Sequence, residues 1–245
     1  MINFIQLGNG SALNPEMTNS SFLVKNDKQY MLVDCGYNVF TELYKNKDVV
    51  NGITHICITH MDDDHIGSLR ALMYHLYFKQ GVVPTIICDK SLEFQLKTYL
   101  LDHTGVVKDY AKVPTKLFEL IALDTNFDFF FRFGNQNISI NTFANKHYQP
   151  GSGFTISDPV ALSAVSITGD TIACYDVLDE YNRCTNDIRF NKYKMYHDYS
   201  NWNEPSMNVH ACSSNIVTMY PKEMIDDLCF YHNDATITQM KQMLL

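Results

Sequence analysis

One stretch, residues 59–67 with the sequence THMDDDHIG, constrains this 245-residue chain more than any other. It directly follows the apolar run of residues 53–58, and within six residues it carries His60, Asp62, Asp64 and His65. A strand that ends in a tight loop and then enters a helix can point all four side chains at one place. Imidazole nitrogen and carboxylate oxygen suit Zn²⁺ or Mn²⁺ where a water position must stay open. The stretch therefore predicts a metal site, and the alternative is a solvated acidic loop.

The composition is typical of a soluble globular enzyme. Apolar residues make up 46% of the chain, which is long enough to bury a sizeable core. No apolar run reaches the ~18 residues that a membrane-spanning helix needs. The opening MINFIQLGNG has no basic region and no small-residue cleavage site, so it indicates a strand. We expect one domain over residues 1–245, located in the cytoplasm and without a membrane partner.

The cysteines indicate the cellular compartment, and the net charge limits the kind of substrate. The seven cysteines are scattered without a CxxC pair, and several lie inside apolar runs, which is typical of reduced core residues in a cytosolic protein. The formal net charge of −8 argues against a broad basic surface for nucleic acid. A small anionic substrate is compatible with this charge, because bound metal ions supply local positive charge.

Apolar patterning predicts two sets of strands flanked by helices. The first set lies near residues 2–7, 20–25, 30–34, 53–58 and 84–88, and the second near 115–121, 127–133, 137–144, 153–157, 162–167, 193–197 and 228–232. Helices are predicted at residues 67–80, 90–101 and 171–179, and at 213–220 or 221–226. Two β-rich halves with helices outside predict a four-layer αββα sandwich of the α/β (α+β) class, with the ligands on loops at one edge.

Residues 59–67 resemble the HxHxDH signature of the metallo-β-lactamase fold, with Asp62 where the second histidine usually stands. Further segments resemble motifs of the same family in the same chain order. They are GNGSA at 8–12, LVDCG at 32–36, KHYQP at 146–150, SITGDT at 166–171 and LCFYH at 228–232. The resemblance runs from the first ten residues to about residue 235, and it implies the metallo-β-lactamase sandwich.

This resemblance implies two divalent cations, with Zn²⁺ expected and Mn²⁺ as the alternative. The implied ligands are His60, Asp62 and His147 for one metal, Asp64, His65 and His232 for the other, and Asp170 as the bridge between them. Asp64 would also accept the proton of the attacking water. Because Asp62 offers a harder oxygen ligand, it weakens the preference of the first site for Zn²⁺ and favours Mn²⁺ or lower occupancy. A metal-free relative of the family is the alternative.

Two late segments resemble the transfer-RNA 3′-processing ribonucleases of the RNase Z branch. YHDY at 196–199 and NVHA at 208–211 resemble their HEAT and HST motifs. The resemblance implies that Asp198 orients His210, and that His210 protonates the leaving oxygen of a phosphodiester. The alternative is that His197 or His210 only caps a loop.

The basic arm with which RNase Z enzymes grip tRNA has no room here, because only 23 positions separate His147 from Asp170. An arm-less, acidic chain of this length resembles the anti-Pycsar phosphodiesterases of bacteriophages and their bacterial relatives. That likeness implies a homodimer in the host cytoplasm that opens 3′,5′-cyclic mononucleotides to nucleoside monophosphates and so counters antiphage signalling. Cyclic CMP and cyclic UMP are the expected substrates, with cyclic AMP and cyclic GMP as further candidates, and no long nucleic acid is expected.

Two other functions stay open. One is a nuclease on the same fold that acts on RNA or DNA, and the other is a non-catalytic protein that sequesters a nucleotide. The aromatic residues at 110–117 and 199–202 are either base-stacking surfaces or ordinary core or dimer contacts.

Overall fold

The computed structural model describes residues 2–100, 117–200 and 209–232. Within these ranges the strands form two six-stranded sheets. The first sheet has the order β1 (Asn3–Gly8), β2 (Ser21–Asn26), β3 (Gln29–Val33), β4 (Ile53–Ile58), β5 (Thr85–Asp89) and β6 (Glu119–Leu123). The second runs from β12 (Leu228–Tyr231) through β11 (Lys192–Asp198), β10 (Ser163–Ile167), β9 (Ser152–Asp158) and β8 (Gln136–Ala144) to β7 (Phe129–Phe133).

Helices connect the strands on the outer faces. They are α1 (Val39–Tyr44), α2 (Lys47–Asn51), α3 (Asp63–Ile66), α4 (Leu69–Gln80), a 3₁₀ turn (Lys90–Leu92) followed by α5 (93–100), α6 (Tyr175–Thr185), α7 (Ser213–Met219) and α8 (Lys222–Asp227). Among the described residues, none of these helices combines the length and the apolar character that crossing a bilayer requires.

Strand direction brings several loops to one edge of the molecule. Strands β3 to β6 pair in parallel in the first sheet, and β10, β11 and β12 do so in the second. Because the carboxyl ends of parallel strands meet at one edge of a sheet, the loops that follow β4, β10, β11 and β12 can converge. The motifs at 59–67, 166–171 and 228–232 place acidic or histidine residues directly after β4, β10 and β12, and Asp198 is the last residue of β11.

Alternating side chains of the strands build a core on each face. In β4, Ile56 and Ile58 pack under the helices of the first sheet, whereas Cys57 faces the second sheet. The cluster between the sheets includes Phe154 and Ile167 from the second sheet. A third cluster packs α6, α7 and α8 on the outer face of the second sheet. These layers confirm the predicted αββα sandwich.

One predicted helix is wrong in its bounds. The sequence pattern predicts a helix over residues 171–179, but α6 begins at Tyr175 and ends at Thr185. The backbone N–H of Thr171 donates to the carboxylate of Asp198, and that of Ile172 donates to the carbonyl of Lys146. These bonds hold the preceding residues as a loop against β11, so the helix starts four positions later than predicted. Both helices predicted as alternatives between 213 and 226 form.

The cysteines agree with the prediction of reduced core residues. All seven are free, and five of them are buried. Burial raises the pKa of the Cys35 thiol to about 12, which keeps it protonated and unreactive at neutral pH.

Candidate metal centre

The motif at residues 59–67 forms the strand-to-helix junction that its sequence predicts. His60 follows β4 and pairs with Gly151 in an isolated bridge, and α3 then carries Asp64 and His65, both buried. The loop after β3 packs directly against this junction. A Cβ on Gly36 would lie 1.9 Å from the carbonyl oxygen of Asp64, so only glycine permits the close approach.

The second sheet supplies the remaining predicted ligands. His147 lies in the loop after β8, Asp170 in the turn after β10, and His232 directly after β12. Among the described residues, three groups of ligand atoms have their members within 4.8 Å of one another: His60, Asp62, His147 and Asp170; Asp64, His65, Asp170 and His232; and Asp170, Asp198, His210 and His232. The structure therefore brings all seven predicted ligands together, and they make up the first two of these groups.

Asp170 is common to all three groups and lies between the histidines of the first two. One carboxylate oxygen, Oδ2, is 3.6 Å from His60 Nε2 and 3.3 Å from His232 Nε2, and Oδ1 is 3.2 Å from His65 Nε2. The turn that presents this carboxylate depends on Gly169, which has a φ of +65°. The side chain of Asn145 braces the same turn by donating to the carbonyls on both sides of Gly169.

Asp34 orients two of the histidines. Its Oδ2 accepts from Nδ1 of His65 at 2.8 Å and from the hydroxyl of Thr59 at 2.8 Å. The Thr59 oxygen in turn accepts from Nδ1 of His60 at 2.9 Å. With Nδ1 committed in both rings, each Nε2 is aimed into the cluster, which is how histidine ligands are commonly oriented. Sequence reasoning placed Asp34 in the LVDCG turn but missed this role, and it missed Thr59.

The other two histidines of the cluster have partners on different elements. Nδ1 of His147 donates to the carbonyl of Val209 at 3.1 Å, so its Nε2 points at Asp62 at 3.2 Å. Nε2 of His232 lies 3.0 Å from Asp64 Oδ2. Val209 is a backbone partner from the segment before α7, and no side-chain pattern in the sequence could have indicated it.

The donor set fits divalent cations. Within the described residues, His60 Nε2, His65 Nε2 and Asp170 Oδ1 are buried and make no hydrogen bond. Buried polar atoms nearly always have a partner in folded proteins. Three such atoms close together without a hydrogen bond are therefore available to bind a cation. Histidine nitrogen with carboxylate oxygen is a set that Zn²⁺ and Mn²⁺ accept.

The charges of the cluster also suit a cation. Burial raises the pKa of Asp170, but the histidines 232, 65 and 60 outweigh it and bring that pKa well below its ordinary value. Burial lowers the pKa of His65, but Asp170 and Asp34 raise it well above its ordinary value. The carboxylates are therefore ionised, and a cation that binds here would displace the proton of His65, so acid should weaken metal binding.

Asp198 and His210 form a pair beside this cluster. The buried Asp198 accepts from Nδ1 of His210 at 2.9 Å and from the backbone N–H of Thr171 at 2.8 Å. Burial lowers the pKa of His210, but Asp198 first, and then Asp170 and Asp64, raise it to about 9. The ring is 25% exposed, so it can hold a proton and present it to a bound molecule.

His197 is a core residue that supports this pair. Its Nδ1 donates to the carbonyl of Asp198 at 2.7 Å, and its Nε2 accepts from the hydroxyl of Tyr220 at 2.9 Å. The Tyr220 oxygen accepts in turn from the backbone N–H of Cys174. The network ties β11 to α7 and to the loop before α6. Tyr220 was missed by sequence reasoning.

An open cavity of about 280 Å³ lies over the cluster. The turn at residues 11–13 forms one wall, and the exposed side chain of Tyr148 and the ring of His210 form others. Tyr148 donates to Asp62 at 2.7 Å, and this hydrogen bond is the first cause that raises the pKa of Tyr148 to about 12. Of the two alternatives for the aromatic residues at 199–202, core packing holds for Tyr199, which is buried. Residues 110–116 and 201–202 lie outside the described residues.

A model of the family described as Anti-Pycsar protein Apyc1 matches residues 2–243. The chain belongs to this family. An Anti-Pycsar protein Apyc1 from Paenibacillus xerothermodurans is 33% identical over 123 residues, which cover 48% of each chain. Another, from Saccharibacillus brassicae, is 26% identical over 91 residues, which cover 37% of this chain and 38% of that one. The chain thus spans about half or less of the length of these Apyc1 relatives.

Solved structures show the fold of this Apyc1 family member. The metallo-β-lactamase fold protein YhfI from Bacillus subtilis has a TM-score of 0.70 and 13% identity, over 99% of this chain and 91% of YhfI. The short form of human tRNase Z, ELAC1, has a TM-score of 0.68 and 17% identity, over 95% and 93% of the two chains. The predicted metallo-β-lactamase fold and the resemblance to the anti-Pycsar branch are both confirmed.

Proposed function

We propose that this protein is a two-metal phosphodiesterase that hydrolyses 3′,5′-cyclic mononucleotides, with cyclic CMP and cyclic UMP foremost, to nucleoside monophosphates. The observation that carries the proposal is the position of the Asp198–His210 pair. His210, held by the buried Asp198, lines the same cavity as Asp62, Asp64, Asp170 and His232 of the cluster, in a chain of the Anti-Pycsar Apyc1 family.

The cluster would hold the cations in two subsites. His60, Asp62 and His147 would form one, Asp64, His65 and His232 the other, and Asp170 would contact both. Bound cations would lower the pKa of a water molecule and offset the charge that builds up on the phosphate oxygens. We propose Zn²⁺ as the ion, with Mn²⁺ as the alternative because Asp62 adds an oxygen ligand.

The acid–base steps would fall to side chains of the chain itself. Asp64 lines the cavity and would accept a proton from the attacking water. The oxygen of that water forms a bond to phosphorus, and the bond from phosphorus to one ribose oxygen breaks. His210, with Nδ1 held by Asp198, would donate the proton of its Nε2 to the departing ribose oxygen. Ring opening therefore consumes one water and yields a monophosphate.

The surroundings of the site support a small substrate. Between His147 and Asp170 the chain forms only β9, β10 and their short connections, so the arm that binds tRNA in RNase Z enzymes has no counterpart in this interval. A cavity of about 280 Å³ suits a mononucleotide better than a polymer. The net charge of −8 also disfavours a polyanion, whose binding depends on lysine and arginine contacts.

We further propose that residues 1–245 form one domain, and that the protein acts as a homodimer in the cytoplasm of a bacterial host, where it would counter antiphage signalling. The family match over residues 2–243 supports this setting. Sedimentation velocity of the purified chain would measure the oligomeric state.

The direct test is turnover of the four 3′,5′-cyclic mononucleotides by metal-loaded protein, followed by chromatography, beside a tRNA precursor and single-stranded DNA. We expect ring opening of cyclic nucleotides and no cleavage of either polymer. Cleavage of the polymers alone would assign a nuclease instead. Tight nucleotide binding without turnover, and without a metal requirement, would assign a sequestering protein.

A further inference from the structure

We propose that Tyr148 is a positioning residue that fixes the carboxylate of Asp62 so that one oxygen of that carboxylate is reserved for a cation. The inference rests on the proposed metal centre. It concerns the position at which this chain has aspartate where the signature of the fold has histidine, and it explains how a carboxylate can serve there.

The two oxygens of Asp62 have different partners. Oδ1 accepts from the hydroxyl of Tyr148 at 2.7 Å and from the side-chain amide of Gln149. Oδ2 lies 3.2 Å from Nε2 of His147 and 3.5 Å from Nε2 of His60. Oδ1 is therefore occupied by two donors that are not proposed ligands, Tyr148 and Gln149. Oδ2 faces the nitrogens of two proposed ligands, His147 and His60.

Asp62 needs such support more than the other carboxylates of the cluster. Its side chain is 25% exposed, compared with 6% for Asp64 and 2% for Asp170. An imidazole ring at this position would present one nitrogen, whereas a partly solvated carboxylate can rotate and exchange its two oxygens. Hydrogen bonds that hold Oδ1 remove this freedom, in the way that outer partners orient metal ligands in general.

Tyr148 itself is not held in place by burial. Its side chain is 67% exposed, and its described contacts are the hydrogen bonds to Asp62 and Gln149 and a ring contact with His147 at 4.4 Å. A tyrosine that packed for stability alone would bury its ring. Loss of the hydroxyl should therefore change the metal subsite while leaving the fold unchanged.

The test is calorimetric titration of metal-free protein with Zn²⁺ and with Mn²⁺. Tyr148→Phe removes the hydroxyl and keeps the ring, and Tyr175→Phe is the matched control at a tyrosine that is 69% exposed on α6. We expect two binding events in the parent, of which Tyr148→Phe weakens one by roughly 10-fold or more. The other event, and the melting temperature of the metal-free protein, should match those of the Tyr175→Phe control.

The same substitution in Asp62→His protein tests whether Tyr148 acts on metal binding through Asp62. In Asp62→His protein the acceptor of the hydroxyl is gone, so adding Tyr148→Phe should leave metal affinity unchanged. Equal affinities in the parent and Tyr148→Phe would overturn the positioning role, and so would a loss of the same size in the Asp62→His background. A parent that binds no metal would instead overturn the metal centre of the proposed function, so the two failures are distinguishable.

Discussion

Asp198 holds His210 through a 2.9 Å hydrogen bond between Oδ2 and Nδ1, which leaves Nε2 as the nitrogen that can give up a proton. The same carboxylate accepts from the backbone of Thr171, next to Asp170. The proposed acid and the residue shared by both metal subsites are thereby linked through one buried side chain. A change at Asp198 should consequently affect both parts of the site.

Replacing His210 by alanine should slow substrates according to their leaving group. A ribose alkoxide needs a proton as it departs, whereas p-nitrophenolate does not, so we expect a loss of roughly 10²-fold or more with a cyclic nucleotide and a much smaller one with bis(p-nitrophenyl) phosphate. Steady-state kcat for both substrates measures the difference. Equal slowing of the two would contradict the general-acid role.

Replacing Asp64 by alanine should strongly reduce turnover and preserve the fold. The variant would lack both a metal ligand and the proposed proton acceptor, so we expect kcat to fall by roughly 10²–10⁴-fold. Asp63→Ala, at the exposed neighbouring position, is the matched control and should retain activity. Near-parental activity in Asp64→Ala with an unchanged circular dichroism spectrum would defeat the two-metal proposal.

Asp34→Asn should weaken metal binding, although Asp34 is not itself a proposed metal ligand. Asp34 Oδ1 accepts from the backbone N–H of Thr59, and Oδ2 accepts from the Thr59 hydroxyl and from Nδ1 of His65. Asparagine has only one accepting oxygen, and with its NH₂ group in place of Oδ2 the ring of His65 loses the bond that orients it. We expect roughly 10–100-fold weaker binding, measured as metal retained after dialysis against a graded chelator. Asp34 has a φ of 61°, so Asp27→Asn, at a φ of 56° in an exposed turn, controls for the backbone effect. Parental retention by Asp34→Asn would show that His65 is oriented by other contacts.

His55 should make stability fall on acidification. Burial lowers its folded-state pKa to about 4, below the unfolded value of 6.5, so between these values the unfolded chain binds more protons and stability is lost as the pH falls. Phenylalanine fits among the rings of Phe131 and Phe133 that contact His55. We expect His55→Phe to reduce the stability difference between pH 7 and pH 5 by about 2 kcal/mol, measured by urea unfolding in chelator. An unchanged difference would show that His55 does not titrate in this range.

A feature could be predicted from the sequence when the residues that determine it are close together in the chain. The side chains of residues 60–65 are neighbours in the chain, so their spacing and the apolar run before them sufficed to predict a strand, a ligand loop and a helix. The start of α6 could not be predicted in the same way. It depends on the bonds of Thr171 and Ile172 to Asp198 and Lys146, which lie about 25 residues away in either direction.

By itself, the sequence determined the types and order of the proposed ligands and the alternation that builds two sheets, because both are local properties of the chain. Only the tertiary structure decided how the ligands are held. Asp34 reaches Thr59 because β3 pairs in parallel with β4, and Tyr148 reaches Asp62 because the loop between β8 and β9 pairs with the residues that follow β4. Such contacts arise from strand pairing within a sheet and from packing between the two sheets, and neither can be derived from distance along the chain.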